Sequence, residues 1–150
     1  MSHFPDTSFL CSLYRRQVFS PRAIAFARAV EGPLRVSTLL VLEFRQSVRL
    51  QTWLYGADEG KGFPKAEGDA MLRDLQADLA AKVLEIVPVD WAEVHQFAER
   101  LSATHTLVRG HRLADILHVA TALHLGAREF LTFDHNQRLL AEAEGLSVSV

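Results

Sequence analysis

Apolar residues recur along this chain with two alternating signatures: short clusters bounded by turn residues, and longer stretches at spacings of three and four. The first signature marks strands and the second helices. Met1–Asp6 is a weak strand, and Pro5, without an amide hydrogen, suits its end. Asp6-Thr7-Ser8 offers cap chemistry for a helix through Phe9, Leu10, Leu13 and Tyr14. Ser20-Pro21 opens a second helix that stops at Glu31-Gly32-Pro33. Leu34–Ser37 reads as a strand, after which Ser37 or Thr38 caps a long helix containing Leu39, Leu42, Phe44, Val48 and Leu50, with Leu39, Leu42 and Phe44 expected in the core.

Residues 55–68 hold Gly56, Gly60, Gly62, Pro64 and Gly68 and read as a flexible surface connection, a candidate substrate-side flap. A helix over 66–81 follows, with Met71, Leu72, Leu75 and Leu79 as its buried stripe, and then a strand over Val83–Val89. Asp90 caps a helix through Val94, Phe97, Ala98 and Leu101, and Thr106–Gly110 connects onward. The strongest helix pattern is Leu113, Ile116, Leu117 and Ala120, closed by Gly126. Phe130–Phe133 is a strand, Asn136–Ala143 a closing helix, and Leu146–Val150 a last strand.

Strands alternating with helical segments predict an α/β fold, a three-layer sandwich around a parallel sheet. The expected strand order is 3-2-1-4-5, with the switch point between the strands ending at Asp6 and Asp134. A length of 150 residues predicts a single domain over 1–150. Hydrophobic residues make up 49% and charged residues 23%, as in ordinary globular proteins. The net charge of −2 counts against nucleic acid unless charge is segregated or offset by metal. No apolar run is long enough for a membrane span and no signal peptide is visible, so a cytoplasmic protein is expected. Cys11 alone excludes an internal disulfide and a multi-cysteine zinc site. None of the seven histidines forms a zinc pattern, and they read as surface or half-buried imidazoles. His118, one turn after Asp115, is the partial exception.

Geometry singles out two acids. From Asp115 to Leu125 a helix travels about 15 Å, and from Arg128 to Asp134 a strand returns about 20 Å. Both carboxylates therefore come to one level at the carboxyl edge of the sheet, where open α/β sheets bind ligands. Asp6 ends the first strand and Glu43 lies early in the helix after the second, so both fall at the same edge. Four neighbouring carboxylates repel, and a divalent cation relieves them. An oxygen-only set suits Mg²⁺ or Mn²⁺ better than zinc, and a metal-bound water beside a phosphate points to phosphodiester hydrolysis.

Four pieces of the sequence carry a resemblance. They are Asp6-Thr7-Ser8-Phe9-Leu10, Leu42-Glu43 after Val36-Ser37, Ala114-Asp115-Ile116 with Ala120-Thr121-Ala122, and Leu131-Thr132-Phe133-Asp134. In this order and spacing the chain resembles PIN-domain ribonucleases, especially VapC-type toxins of toxin–antitoxin pairs. The resemblance implies a Mg²⁺- or Mn²⁺-dependent endoribonuclease with Asp6, Glu43, Asp115 and Asp134 as the catalytic, metal-binding cluster. Asp6 and Asp115 would hold the main ion, and Glu43 and Asp134 would complete the site. Thr7, Ser8 and Thr132 fall where supporting groups orient the ligands. Products with a 5′-phosphate and a 3′-hydroxyl, an antitoxin partner and a homodimer are also implied.

RNA contacts are expected from Arg15, Arg16, Arg45, Arg49, Arg112 and Arg138, with Lys61, Lys65 and Arg109 as further candidates. Two departures bear on substrate and partner choice: the first strand lacks an apolar run, and the Gly-rich loop is long. Two rival classes remain in view. One is a catalytically silent PIN-like module that binds RNA or protein. The other is a phospho-acceptor receiver domain, which would need an adjacent acid pair after the first strand and a lysine ending the last; the chain has neither.

Overall fold

The structure is a computed structural model, and it describes residues 2–150. Four three-residue strands alternate with helices: β1 (His3–Pro5), α1 (Thr7–Tyr14), α2 (Ser20–Ala29), β2 (Leu34–Val36), α3 (Thr38–Ala57), α4 (Lys65–Ala80), β3 (Leu84–Ile86), α5 (Trp91–Leu101), α6 (Leu107–Arg109), α7 (Leu113–His124), β4 (Glu129–Leu131) and α8 (His135–Ala143). A π-helical turn, Ser102–Thr106, joins α5 to α6. The chain divides into two compact units, one holding the residues up to Phe9 with Val87–Val150, the other Leu10–Ile86.

In the first unit β1 and β4 pair in parallel, with His3 opposite Glu129, Phe4 opposite Phe130 and Pro5 opposite Leu131. The Asp6 amide donates to the Leu131 carbonyl at 3.0 Å and carries the ladder one residue further. Phe4, Phe9 and Phe130 are fully buried, each worth about 1.5–3 kcal/mol over an exposed ring. Phe4 stacks on Phe130 and Phe9 on Phe133, at centroid distances of 6.5 and 5.9 Å. Helix α7 packs on α5 and buries Ile116, His118, Val119, Ala120, Thr121 and Ala122. It closes through Gly126, whose φ of +67° suits a residue without a Cβ. Asp90 caps α5, accepting from the amides of Ala92 and Glu93.

In the second unit β2 and β3 pair in parallel, Leu34 opposite Leu84 and Val36 opposite Ile86. Ser37, rather than Thr38, caps α3 by accepting from the Leu40 amide at 3.1 Å. Tyr14 meets the edge of Phe44 at 5.6 Å, and its hydroxyl donates to Asp78 at 2.7 Å. Burial raises the Tyr14 pKa, and the bond to and charge of Asp78 push the same way.

Every ladder is parallel and joins strands that are neighbours in the order 3-2-1-4-5. The ladders form two pairs, and the expected fifth strand is reduced to one bridge, Ser147 beside Glu129. Other expectations need correction. Leu42 is 62% exposed rather than core. The buried face of α3 is Leu40, Val41, Phe44 and Val48, and at 100° per residue Leu42 points away from Leu40. Leu113 is also exposed, in the first turn of α7 beside exposed Arg112. The expected connection at 106–110 is mostly helical.

The connection expected over 55–68 shrinks to residues 58–64, because Gly56 ends inside α3 and Gly68 lies inside α4. A Cβ on Gly68 would stand 2.5 Å from the Thr52 hydroxyl, so the bare backbone lets α4 approach α3. Gly62, at φ +62°, lies against the Gln51 carbonyl, to which Phe63 donates its amide. The connection is therefore tied to α3 by its own backbone.

Candidate active site

Asp6 stands where β1 gives way to α1. Its Oδ1 accepts the Phe9 amide at 2.9 Å and the Ser8 hydroxyl at 2.7 Å, closing the first turn of α1. Its Oδ2 accepts the Thr132 hydroxyl at 2.5 Å. The side chain is buried, and burial lifts its pKa from 3.8 to about 6. The bonds from Thr132, Ser8 and the Phe9 amide, and the charge of His118, oppose that rise.

Thr132 and Ser8 continue the network. The Thr132 hydroxyl oxygen accepts the Asp134 amide at 3.0 Å, and the Ser8 oxygen accepts the Phe133 amide at 2.9 Å. Asp134 caps α8, its Oδ1 accepting the Gln137 amide at 2.8 Å. The Gln137 side-chain amide donates to the Asp115 carbonyl at 3.3 Å. Asp6, Thr132, Asp134, Gln137 and Asp115 thus form one run of hydrogen bonds linking the starts of α1, α8 and α7. Gln137 is buried and escaped the sequence reading. The signal was available, since it stands three residues after Asp134, where a cap's amide partner falls.

The half-buried Asp115 carboxylate takes Arg112 Nε at 3.2 Å. Thr7 is half-buried at the start of α1. His118 is fully buried, not the surface or half-buried imidazole expected of the histidines generally. His111 is buried too, and the charges of both Asp115 and Asp134 act on it. Glu43 belongs to the other unit, half-buried in the second turn of α3. In that unit a cavity of about 420 Å³ opens beside Tyr14 and Asp78, and none of the four expected acids lines it.

The arginines differ in what they already hold. Arg15 pairs with Glu67 at 2.8 Å and lies over the Phe63 ring, and Arg45 donates to Gln76 at 2.9 Å. Arg138 donates to the carbonyls of Val148 and Val150. Arg16 and Arg49 are exposed.

Among the described residues, no three His, Cys, Asp or Glu side chains are grouped closely enough to cage a metal ion. Magnesium does not need such a cage, because it keeps several waters and is usually held by one or two carboxylates. The donor chemistry fits a hard divalent cation. The acids offer only oxygen, and a buried carboxylate with a raised pKa carries a charge that a cation would relieve.

A model of the PIN domain matches residues 3–143. The chain belongs to the PIN-domain family. Solved structures with this PIN fold cover nearly all of it. VapC20 of Mycobacterium tuberculosis, described as a sarcin-ricin loop cleaving toxin, superposes with a TM-score of 0.69 at 16% identity, covering 97% of this chain and 96% of that one. FitAcB from Neisseria gonorrhoeae gives 0.64 at 19% identity, over 97% and 95%. VapBC2 from Rickettsia felis, bound to a DNA fragment from its promoter, gives 0.62 at 14% identity, over 99% and 98%. No curated protein matches by sequence. No helix among the described residues is long and apolar enough to cross a membrane.

Proposed function

We propose that this PIN domain is a Mg²⁺- or Mn²⁺-dependent endoribonuclease and the toxin of a toxin–antitoxin pair, acting in the cytoplasm and as a homodimer. The observation that carries the reading is Asp6: a buried carboxylate, lifted to about 6, bonded through Thr132 and Asp134 to the start of the helix that bears Asp115. Asp6 and Asp115 would hold the ion and Asp134 would complete the site or orient the attacking water; Glu43, in the other unit, is the fourth acid of the expected set. Ser8 and Thr132 fix the Asp6 carboxylate, and Thr7 stands beside it in the first turn of α1. When bound, the ion supplies an activated water and offsets charge on the phosphodiester. Arg16, Arg49 and Arg112 are the exposed cations of the proposed RNA surface. Arg15, Arg45, Arg112 and Arg138 would have to exchange protein partners for phosphate.

The solved relatives VapC20, described as cleaving the sarcin-ricin loop, and VapBC2 support the choice of RNA and of an antitoxin partner. A second reading, a silent PIN module, is favoured by one observation: the Asp115 carboxylate is turned to Arg112. Induced expression separates the two. Wild type arrests growth and the purified protein cuts RNA with Mg²⁺ but not with EDTA, whereas Asp115→Asn does neither. Equal toxicity, or equal inertness, of wild type and variant would overturn the catalytic reading.

A further inference from the structure

The turn between α6 and α7 is exposed at Arg109, Gly110, Arg112 and Leu113, yet His111 within it is buried. Its Nδ1 lies 3.3 Å from the Asn136 side-chain nitrogen, which also faces the Arg109 carbonyl oxygen at 3.5 Å. A carbonyl only accepts, so the amide edge turned to both is its NH₂ edge, and it donates to Nδ1. The network therefore assigns the ring proton of neutral His111 to Nε2. Burial keeps the imidazole neutral by lowering its pKa, helped by His105 and Arg109 and opposed by Asp115 and Asp134. The Nε2 atom is buried and has no hydrogen-bond partner among the described residues. A buried N–H without an acceptor is costly and calls for an explanation.

One placement and one chemical constraint say what the acceptor is. The Asn136 side chain that meets Nδ1 stands in the first turn of the helix that Asp134 caps, and the charges of Asp115 and Asp134 both act on the ring, so His111 lies beside these acids. A nitrogen that carries a proton cannot ligate a cation, so the ring is not a metal ligand. We propose that His111 binds substrate, its Nε2–H donating to a non-bridging oxygen of the phosphodiester held at the acids. The proposal rests on the nuclease reading above. A neutral donor attracts the phosphate without forming an ion pair that would compete for the carboxylates. Because Nε2 is covered in the free protein, the bond forms as the exposed turn yields to the incoming phosphate.

The test uses the full chain, Mg²⁺ titrations, and inorganic phosphate as probe. Side-chain ¹⁵N spectra of the wild type should show the Nε2–H form of His111 and a change at that nitrogen when phosphate is added to the Mg²⁺-loaded protein. His111→Phe should weaken phosphate binding roughly tenfold, the scale of one hydrogen bond to a charged oxygen. His111→Gln, which keeps a donor, should recover part of it, and Mg²⁺ binding should be equal in all three. An Nδ1–H ring, or equal phosphate affinity in wild type and His111→Phe, overturns the proposal while leaving the metal site intact. Failure of the wild type to bind Mg²⁺ overturns instead the reading beneath it, and the proposal falls with it. The spectra need no variant, so an unstable His111→Phe does not shield the idea.

Discussion

Replacing Asp6 by Asn should stabilise the metal-free protein at high pH while removing its function. In the folded chain Asp6 titrates at about 6, against 3.8 for the ordinary group. The native state therefore holds this proton more tightly than the unfolded chain. Its contribution to stability is fully present below about pH 4, falls as pH rises to 6, and is gone above that. Two pKa units at 1.36 kcal/mol each make the loss about 3 kcal/mol. Asn resembles the protonated carboxyl: its oxygen still accepts from Ser8 and the Phe9 amide, and its NH₂ faces the Thr132 hydroxyl oxygen. The difference in unfolding free energy between Asp6→Asn and the wild type should thus shift by about 3 kcal/mol in favour of the variant between pH 4 and pH 8.

Urea denaturation of Asp6→Asn and wild type in EDTA at pH 4, 6 and 8 measures this directly. Other titrating groups, such as Glu144 with its lowered pKa, are common to both proteins and cancel in the difference. Saturating Mg²⁺ should then reverse the order. At a thousand times Kd, binding stabilises the wild type by about 4.1 kcal/mol, more than the roughly 3 kcal/mol lost to ionisation, and the variant by much less. A difference that stays flat with pH, or widens toward acid, would refute the claim that burial dominates the environment of Asp6.

Two further outcomes follow from the same geometry. Thr132→Val keeps the shape but removes both the donor to Asp6 and the acceptor of the Asp134 amide; it should cost about 2–4 kcal/mol at pH 8 and move the Asp6 titration, followed by carboxyl NMR, further up. Gly62→Ala places a Cβ 1.9 Å from the Gln51 carbonyl oxygen, whereas Gly32→Ala, also at positive φ, meets nothing within 4 Å. In thermal unfolding the first should lose more than about 3 kcal/mol and the second about 1; equal losses would mean the connection is not tied to α3 as described.

What could be read from the sequence was the part written in local rules. A strand followed by an acid and a hydroxyl residue announces a helix cap, and it did so at Asp6; an acid before an apolar helical run did the same at Asp90. What could not be read depends on partners far along the chain. The apolar spacing of α3 leaves two faces open to a helix rich in leucine, and only packing decides that Val41 and Phe44 go inward while Leu42 does not. Glycine in sequence signals a breaker over 55–68, but Gly68 serves a close helix approach that needs Thr52 in place. Gln137 is polar on an amphipathic helix, and its place after the cap marks its amide but not the burial of its side chain.

Capping and site chemistry are not rival explanations of Asp6 and Asp134. The parallel register that sets Pro5 against Leu131 puts the next residues, Asp6 and Thr132, opposite one another. Their side chains meet across the pair, which is the 2.5 Å bond observed. Asp134 follows Thr132 by two residues and its amide returns to that same hydroxyl. Each acid then starts a helix, and the helix's own amides hold one carboxylate oxygen in a fixed direction. A cap thus orients the carboxylate at the helix start, where the exposed amide dipoles favour its ionised form against the pull of burial. Two strand–acid–helix units, laid side by side in parallel, therefore bring a buried acid and a half-buried one together before any ion or substrate arrives.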